Sequence, residues 1–133
     1  MKNTLLIILI GLAVCGCGTV YESRRSELLK TATEADYGAK PPSGYQETEK
    51  TLILNSLKDP ESARLIPDSD VVPFIMQKGF ASPTPVLVWA HTVRVNAKNG
   101  FGGYVGFKLY QFAWKDGRLF AHFTEENGFW IYD

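Results

Sequence analysis

An α+β domain, with one amphipathic helix laid on an antiparallel sheet of four or five strands, is the fold class that three features of this chain predict. A helical-period apolar stripe from Tyr45 to Lys58 is cut off by Asp59-Pro60. The carboxy-terminal third runs in β-branched and aromatic segments. Those segments are joined by the short turn pairs Asp116-Gly117 and Asn127-Gly128, which favour antiparallel pairing of sequence neighbours. The domain is expected over 45–133, behind a signal peptide at 1–16 and a polar tether at 17–44.

The amino-terminal segment is a targeting signal rather than part of the fold. Lys2 precedes an unbroken apolar run from Leu5 to Val14. At about ten residues this run is half of what is needed to span a bilayer, and it has the anatomy of a secretory signal. It ends in Val14-Cys15-Gly16-Cys17, where the chain resembles a bacterial lipoprotein precursor: a branched apolar residue lies three positions before Cys17 and Gly16 lies immediately before it. The resemblance implies cleavage ahead of Cys17 and lipidation of that cysteine. Cys15, preceded by Leu12-Ala13-Val14, is the competing position, and an ordinary signal peptide with incidental cysteines is the alternative to both. Multiple acyl chains on one cysteine anchor stably, where a single myristoyl chain is marginal. Gly18 and Thr19 follow, and the absence of Asp there resembles the sorting pattern of outer-membrane lipoproteins. The expected location is therefore the cell envelope, lipid-anchored on the outer membrane and facing the periplasm.

With residues 1–16 removed and Cys17 acylated, no thiol remains. A disulfide framework, a thiol nucleophile and a zinc–thiolate site are then all excluded. Fourteen basic residues balance fourteen acidic ones, which argues against a nucleic-acid footprint. From Gly18 to Gly44 the only apolar pair is Leu28-Leu29, so the segment reads as a flexible tether with a frayed helix over Glu22 to Asp36. As a flexible chain it would hold the domain roughly 25 to 30 Å from its anchor.

Within the domain, Ser43-Gly44-Tyr45-Gln46 has the spacing of a capping box. The helix over Tyr45 to Lys58 then presents Tyr45, Leu52 or Ile53, and Leu57 on one face, with Glu47, Glu49 and Lys50 mostly elsewhere. Ser62 to Ile66 predicts a short strand, and Val71 to Met76 a second segment that Pro73, which cannot donate to a ladder, makes an edge or irregular one. Val86 to Asn96, Tyr104 to Trp114, Arg118 to Thr124 and Phe129 to Tyr132 complete the sheet.

On the strand Tyr104 to Trp114, Val105, Phe107 and Leu109 are expected on the inward face. Tyr110, Phe112 and Trp114 occupy the other face beside Lys108, with Phe120 and His122 adding to it from the next strand. That second face is either a second core layer or an exposed aromatic patch that binds a partner.

Val95 to Phe107 is the densest local signal. Asn99-Gly100 and Gly102-Gly103 predict a tight glycine-rich hairpin loop. Gly100 and Gly102 begin a Gly-x-Gly-x-x-Gly pattern, but Val105 stands at its third position and a strand follows where a helix is required, so dinucleotide binding is set aside. Asn96, Lys98, Asn99 and Tyr104 either form a polar recognition surface at the loop or make hydrogen bonds that order it. The segment Asn96-Ala97-Lys98-Asn99-Gly100-Phe101-Gly102-Gly103-Tyr104-Val105-Gly106-Phe107, together with Leu57-Lys58-Asp59-Pro60-Glu61-Ser62-Ala63 upstream, resembles a family of small uncharacterised bacterial proteins, many of them lipoproteins. The resemblance spans Thr51 to Phe112. It departs at Thr92-Val93-Arg94, where the family pattern has Cys-Gly and an acidic residue. It implies relatives and no activity.

His91 and His122, the two histidines, each fit a half-buried strand position, and no histidine pair has metal-binding spacing. Glu125-Glu126 and Asp68-Ser69-Asp70 fall in expected turns. No catalytic residue, metal or cofactor is predicted. The expected function is a non-catalytic binding or structural role in the envelope, with a membrane contact through Cys17 and an envelope protein or cell-wall polymer as partner. A small envelope hydrolase, or an inhibitor of one, is the alternative.

Overall fold

The computed structural model describes residues 19–77 and 84–132, so the signal segment, Cys15 and Cys17 lie outside the described residues. A helix, α1, runs over 19–31 and is followed by a 3-10 turn at Glu34–Tyr37. Next come helix α2, Tyr45–Ser56, and a second 3-10 turn, Pro60–Ser62. The strands are β1 Arg64–Pro67, β2 Val72–Gln77, β3 Pro85–Asn96, β4 Lys108–Lys115, β5 Arg118–Thr124 and β6 Gly128–Ile131. They form one antiparallel sheet of six strands, so the α+β class holds and the expectation of four or five strands is corrected to six.

Both short amino-terminal segments join the sheet because of how the long β3 is used. Its β-branched, aromatic sequence pairs on both edges: β4 lies along one, and β1 and β2 lie end to end along the other. Where that edge passes from β1 to β2, Asp68 N–H donates to Thr92 O at 2.9 Å and Thr92 N–H donates to Ser69 Oγ at 3.2 Å. The acidic turn around Asp68 thus completes the edge, and Asp68 also pairs with Arg94 at 2.6 Å. The β4–β5 hairpin turns on Asp116 and Gly117, both at positive φ (50° and 74°), the geometry that an Asp-Gly pair favours.

Helix α2 covers the central strands on one face. Its inward stripe is Tyr45, Glu49, Leu52 and Ile53, at spacings of three and four. Beneath it lie Trp89, Val93 and Val95 of β3 with Tyr110, Phe112 and Trp114 of β4, all buried. The exposed-patch alternative for Tyr110, Phe112 and Trp114 is therefore overturned. At 5%, 1% and 3% exposure they are the main core, because register pairs them with Val93, His91 and Trp89 under the helix.

The assignment of the opposite residues to the inward face is corrected for the same reason. Gly106 has φ of +100°, the strand begins only at Lys108, and Val105 and Phe107 are exposed in the preceding loop. Leu109 is half-buried on the face away from α2.

Two further expectations give way to packing. The stretch 34–40 is part of the folded unit rather than a free tether: Tyr37 is buried against Trp89, whose indole N–H donates to Gly38 O at 3.0 Å. Leu28 and Ala32 also touch this core. At the start of α2 the N-cap is Gly44, in left-handed conformation, and no side chain caps the helix, so Ser43 does not form the expected capping box.

Candidate functional site

The two sequence segments that carry the family resemblance meet in space. Asp59 initiates the Pro60–Ser62 turn, with its Oδ1 accepting from Ser62 N–H at 3.3 Å, and this presents Ser62 to the glycine-rich loop. Ser62 Oγ accepts from Lys98 N–H at 2.8 Å, and Ser62 O accepts from the Tyr104 hydroxyl at 3.0 Å. Arg64 stacks over the Tyr104 ring, 5.0 Å from its centroid. The Lys58 stem lies against Gly100, where a β-carbon would fall 3.7 Å from Lys58 Cδ.

The loop itself is ordered by Asn99. Its Oδ1 accepts from Phe101 N–H at 2.9 Å and from Gly103 N–H at 3.1 Å. Its backbone exchanges bonds with Gly102 and Gly103, and Gly102 adopts φ of +81°, a conformation that suits glycine. A short bridge between Lys98 and Tyr104 closes the loop at its base.

Between this loop and the end of α2 lies a cavity of about 470 Å³. Lys58, Lys98 and Lys108 line it, with Asn99, Tyr110, Glu126 and, at the rim, Phe101 and Val105. Lys108 pairs with Glu126, whereas no carboxylate among the described residues pairs with Lys58 or Lys98. Ser56 Oγ donates to Ile53 O at 2.7 Å, so in its 3.0 Å contact with Tyr110 the tyrosine hydroxyl is the donor. The chemistry is that of an anion site with an apolar lip: two ammonium groups with no carboxylate partner among the described residues, that of Lys98 5.8 Å from the Tyr104 ring centroid, beside exposed hydrophobic side chains.

Of the residues singled out in the sequence, Lys98 and Asn99 line this cavity, Tyr110 forms its inner wall, and Tyr104 braces the loop from outside. Asn99 also serves the loop-ordering role. Phe112 and Trp114 belong to the core and reach no ligand surface. Asn96 ends β3 on the face opposite α2, where its Oδ1 is buried without a hydrogen-bond partner, so it is not part of the cavity. Lys58, Lys108 and Phe101 are cavity residues that sequence reasoning did not single out. Lys58 stands inside the Leu57 to Ala63 segment, which was the available signal.

A second constellation lies beneath α2. Glu49 Oε1 accepts from Trp114 Nε1–H at 2.8 Å, and Glu49 Oε2 lies 2.6 Å from His91 Nδ1. Tyr45 covers the pair, its ring edge-on to His91 at 5.3 Å and to Trp114 at 6.0 Å. Burial pushes the Tyr45 phenol up, and the Glu49 and Asp70 charges add to the shift. Glu49 was expected away from the inward stripe and His91 half-buried; both are buried, because the carboxylate finds two donors on the sheet. The pair has the bonding of an acid–base dyad, but with side-chain exposures of 2% and 4% it is closed to a substrate. Its role is to hold α2 on the sheet.

Beyond the edge of α2, His122 stacks between Phe112 and Trp130 at 6.2 and 6.5 Å, with its Nδ1 2.6 Å from the Tyr132 hydroxyl. Desolvation lowers the His122 pKa from its ordinary 6.5. The unfolded chain therefore takes up this proton first. The His122 contribution to stability is complete above about pH 6.5 and declines as pH falls from there toward the lower folded value. Urea midpoints measured across that range are expected to fall less steeply for His122→Gln than for the parent chain. An unchanged slope would contradict the assignment.

On the opposite sheet face, Val72, Phe74 and Phe129 stay exposed around Ala90, Ala113 and Ala121, forming a shallow trough of about 230 Å³. No group of three or more His, Cys, Asp or Glu residues suited to a metal occurs among the described residues. No helix among them is long and apolar enough to cross a membrane. No protein-family model, curated protein or solved structure matches the chain.

Proposed function

We propose that this chain is a bacterial envelope lipoprotein, held by lipid on Cys17 at the outer membrane and facing the periplasm, whose α+β domain binds an envelope component without transforming it. Kinship with the small bacterial lipoproteins it resembles is part of the same proposal. The observation that carries the binding role is the cavity where two distinctive sequence segments converge and where Lys58 and Lys98 have no carboxylate partner among the described residues. A cavity of that size with a few convergent polar groups is where a ligand site is expected. The lining contains no histidine, and its carboxylate, Glu126, is engaged by Lys108, so a hydrolytic acid–base pair has no support there.

The anchor and the site are tested separately. Cys17→Ser is expected to abolish acylation and membrane fractionation, and Cys15→Ser to leave both intact. A mature chain that begins at Cys15, or that carries no lipid by mass spectrometry, overturns the anchor. For the site, a photo-crosslinking residue at Phe101 in cells is expected to yield a discrete adduct that Lys58→Gln/Lys98→Gln reduces. The same yield in both forms, or no adduct, overturns binding at this cavity.

A further inference from the structure

We infer that the ligand taken at this cavity is an anionic lipid headgroup at a bilayer surface, with Phe101 and Val105 entering the interfacial layer; this rests on the cavity being a binding site. The first support is the way the loop presents its apolar residues. Phe101 is 100% exposed, Val105 57% and Phe107 46%. Phe101 does not belong to a loose segment, since the Asn99 side chain, the Lys98–Tyr104 bridge and the Tyr104–Ser62 bond hold residues 98–104, and Val105 follows directly. A rigid loop that holds a fully exposed phenylalanine at its tip marks a surface completed by another apolar phase.

The second support is charge. Lys58 and Lys98 flank that tip with no carboxylate partner among the described residues, and Arg64 and Lys98 both lie over the Tyr104 ring, at 5.0 and 5.8 Å from its centroid. The chain has no net charge, so any attraction for anions comes from these local groups rather than from the molecule as a whole. Ammonium groups on long apolar stems beside exposed aromatic and branched side chains match the layering of a membrane interface. There the phosphates meet the cations and the acyl boundary meets the hydrophobic tip. A soluble anion would use the two lysines and leave Phe101 and Val105 without a purpose. A lipid anchor that already confines the domain near the bilayer lets such a weak contact be occupied through effective concentration.

The test uses the full lipidated chain in nanodiscs of phosphatidylcholine, with or without phosphatidylglycerol, and follows amide hydrogen exchange over 99–107. Exchange is expected to slow several-fold only when phosphatidylglycerol is present. The protection should be lost in Lys58→Gln/Lys98→Gln and in Phe101→Ser, while amides of β3 and β4 exchange as in the parent chain and report an intact fold. Equal exchange in both lipids overturns the inference, as does protection that survives the double lysine substitution. If soluble glycerol phosphate added to phosphatidylcholine discs protects the same amides to the same degree, the bilayer surface is overturned while binding at the cavity stands. A crosslinking experiment that yields no adduct, or the same yield with and without the two lysines, is the outcome that removes the binding site itself.

Discussion

Glu49→Ala is expected to cost the domain about 3 to 5 kcal/mol, because it removes the central member of a buried hydrogen-bonded network and leaves its partners unsatisfied. Glu49 is 1% exposed and serves Trp114 Nε1–H and His91 Nδ1 with its two oxygens. Alanine leaves the indole N–H and the imidazole facing a cavity under α2, and an unsatisfied buried donor costs about 1 to 3 kcal/mol by itself. Glu49→Gln should lose less, since its carbonyl still accepts from Trp114. Replacing the whole network by Glu49→Leu, His91→Leu and Trp114→Phe should recover much of the loss, because the penalty lies in stranded polar groups rather than in absent attraction. Urea denaturation of the variants checks this. A loss below about 1 kcal/mol for Glu49→Ala would show that the network does not secure the helix.

Phe112→Ser is expected to destabilise the domain by about 4 kcal/mol or more. Phe112 is 1% exposed, opposite His91 in the pairing of β3 with β4, in one core cluster with Trp89, Val93 and Ile53 and stacked on His122. Truncating a buried phenylalanine costs about 3 to 5 kcal/mol through lost burial and residual cavity. The serine hydroxyl adds a polar group with no partner in an apolar setting. The control is Phe107→Ser, in the exposed loop, for which a change within about 0.5 kcal/mol is expected. Thermal or urea melts of the two variants side by side should differ by several kcal/mol. Equal losses would mean that the inward face of β4 has been misassigned.

The distance between those two phenylalanines in sequence is short, and their contrast shows where sequence reasoning stops. Both sit in one aromatic run that alternates, and alternation tells which residues share a face without telling which face is covered. Gly106, with φ of +100°, ends the run early and turns Val105 and Phe107 outward, and α2 then settles on Tyr110, Phe112 and Trp114. Asn99 was recognisable as a turn residue, and its two bonds to loop amides follow from its type. Lys108 gave no such sign, and Lys58 and Phe101 lay within distinctive segments without being marked by their residue type. Lysines and an exposed aromatic are ordinary surface residues until the fold sets them around one cavity.

What the sequence determined by itself is local. Asp59-Pro60 stops α2 shortly after Ser56, Asp116-Gly117 makes the β4–β5 turn, and Arg118 to Thr124 forms β5 over its expected length. Each of these depends on backbone preferences acting over a few residues. The tertiary structure decided what depends on distant partners. Glu49 is buried because its donors, 42 and 65 residues further on, are brought beneath it by the pairing of β3 with β4. Ser62 meets Lys98 across 36 residues for a related reason: the register of β1 against β3 carries the Asp59-Pro60 turn to the mouth of the glycine-rich loop. Burial of a polar side chain and convergence of a site are properties of contacts, and contacts between distant residues exist only once the chain has closed on itself.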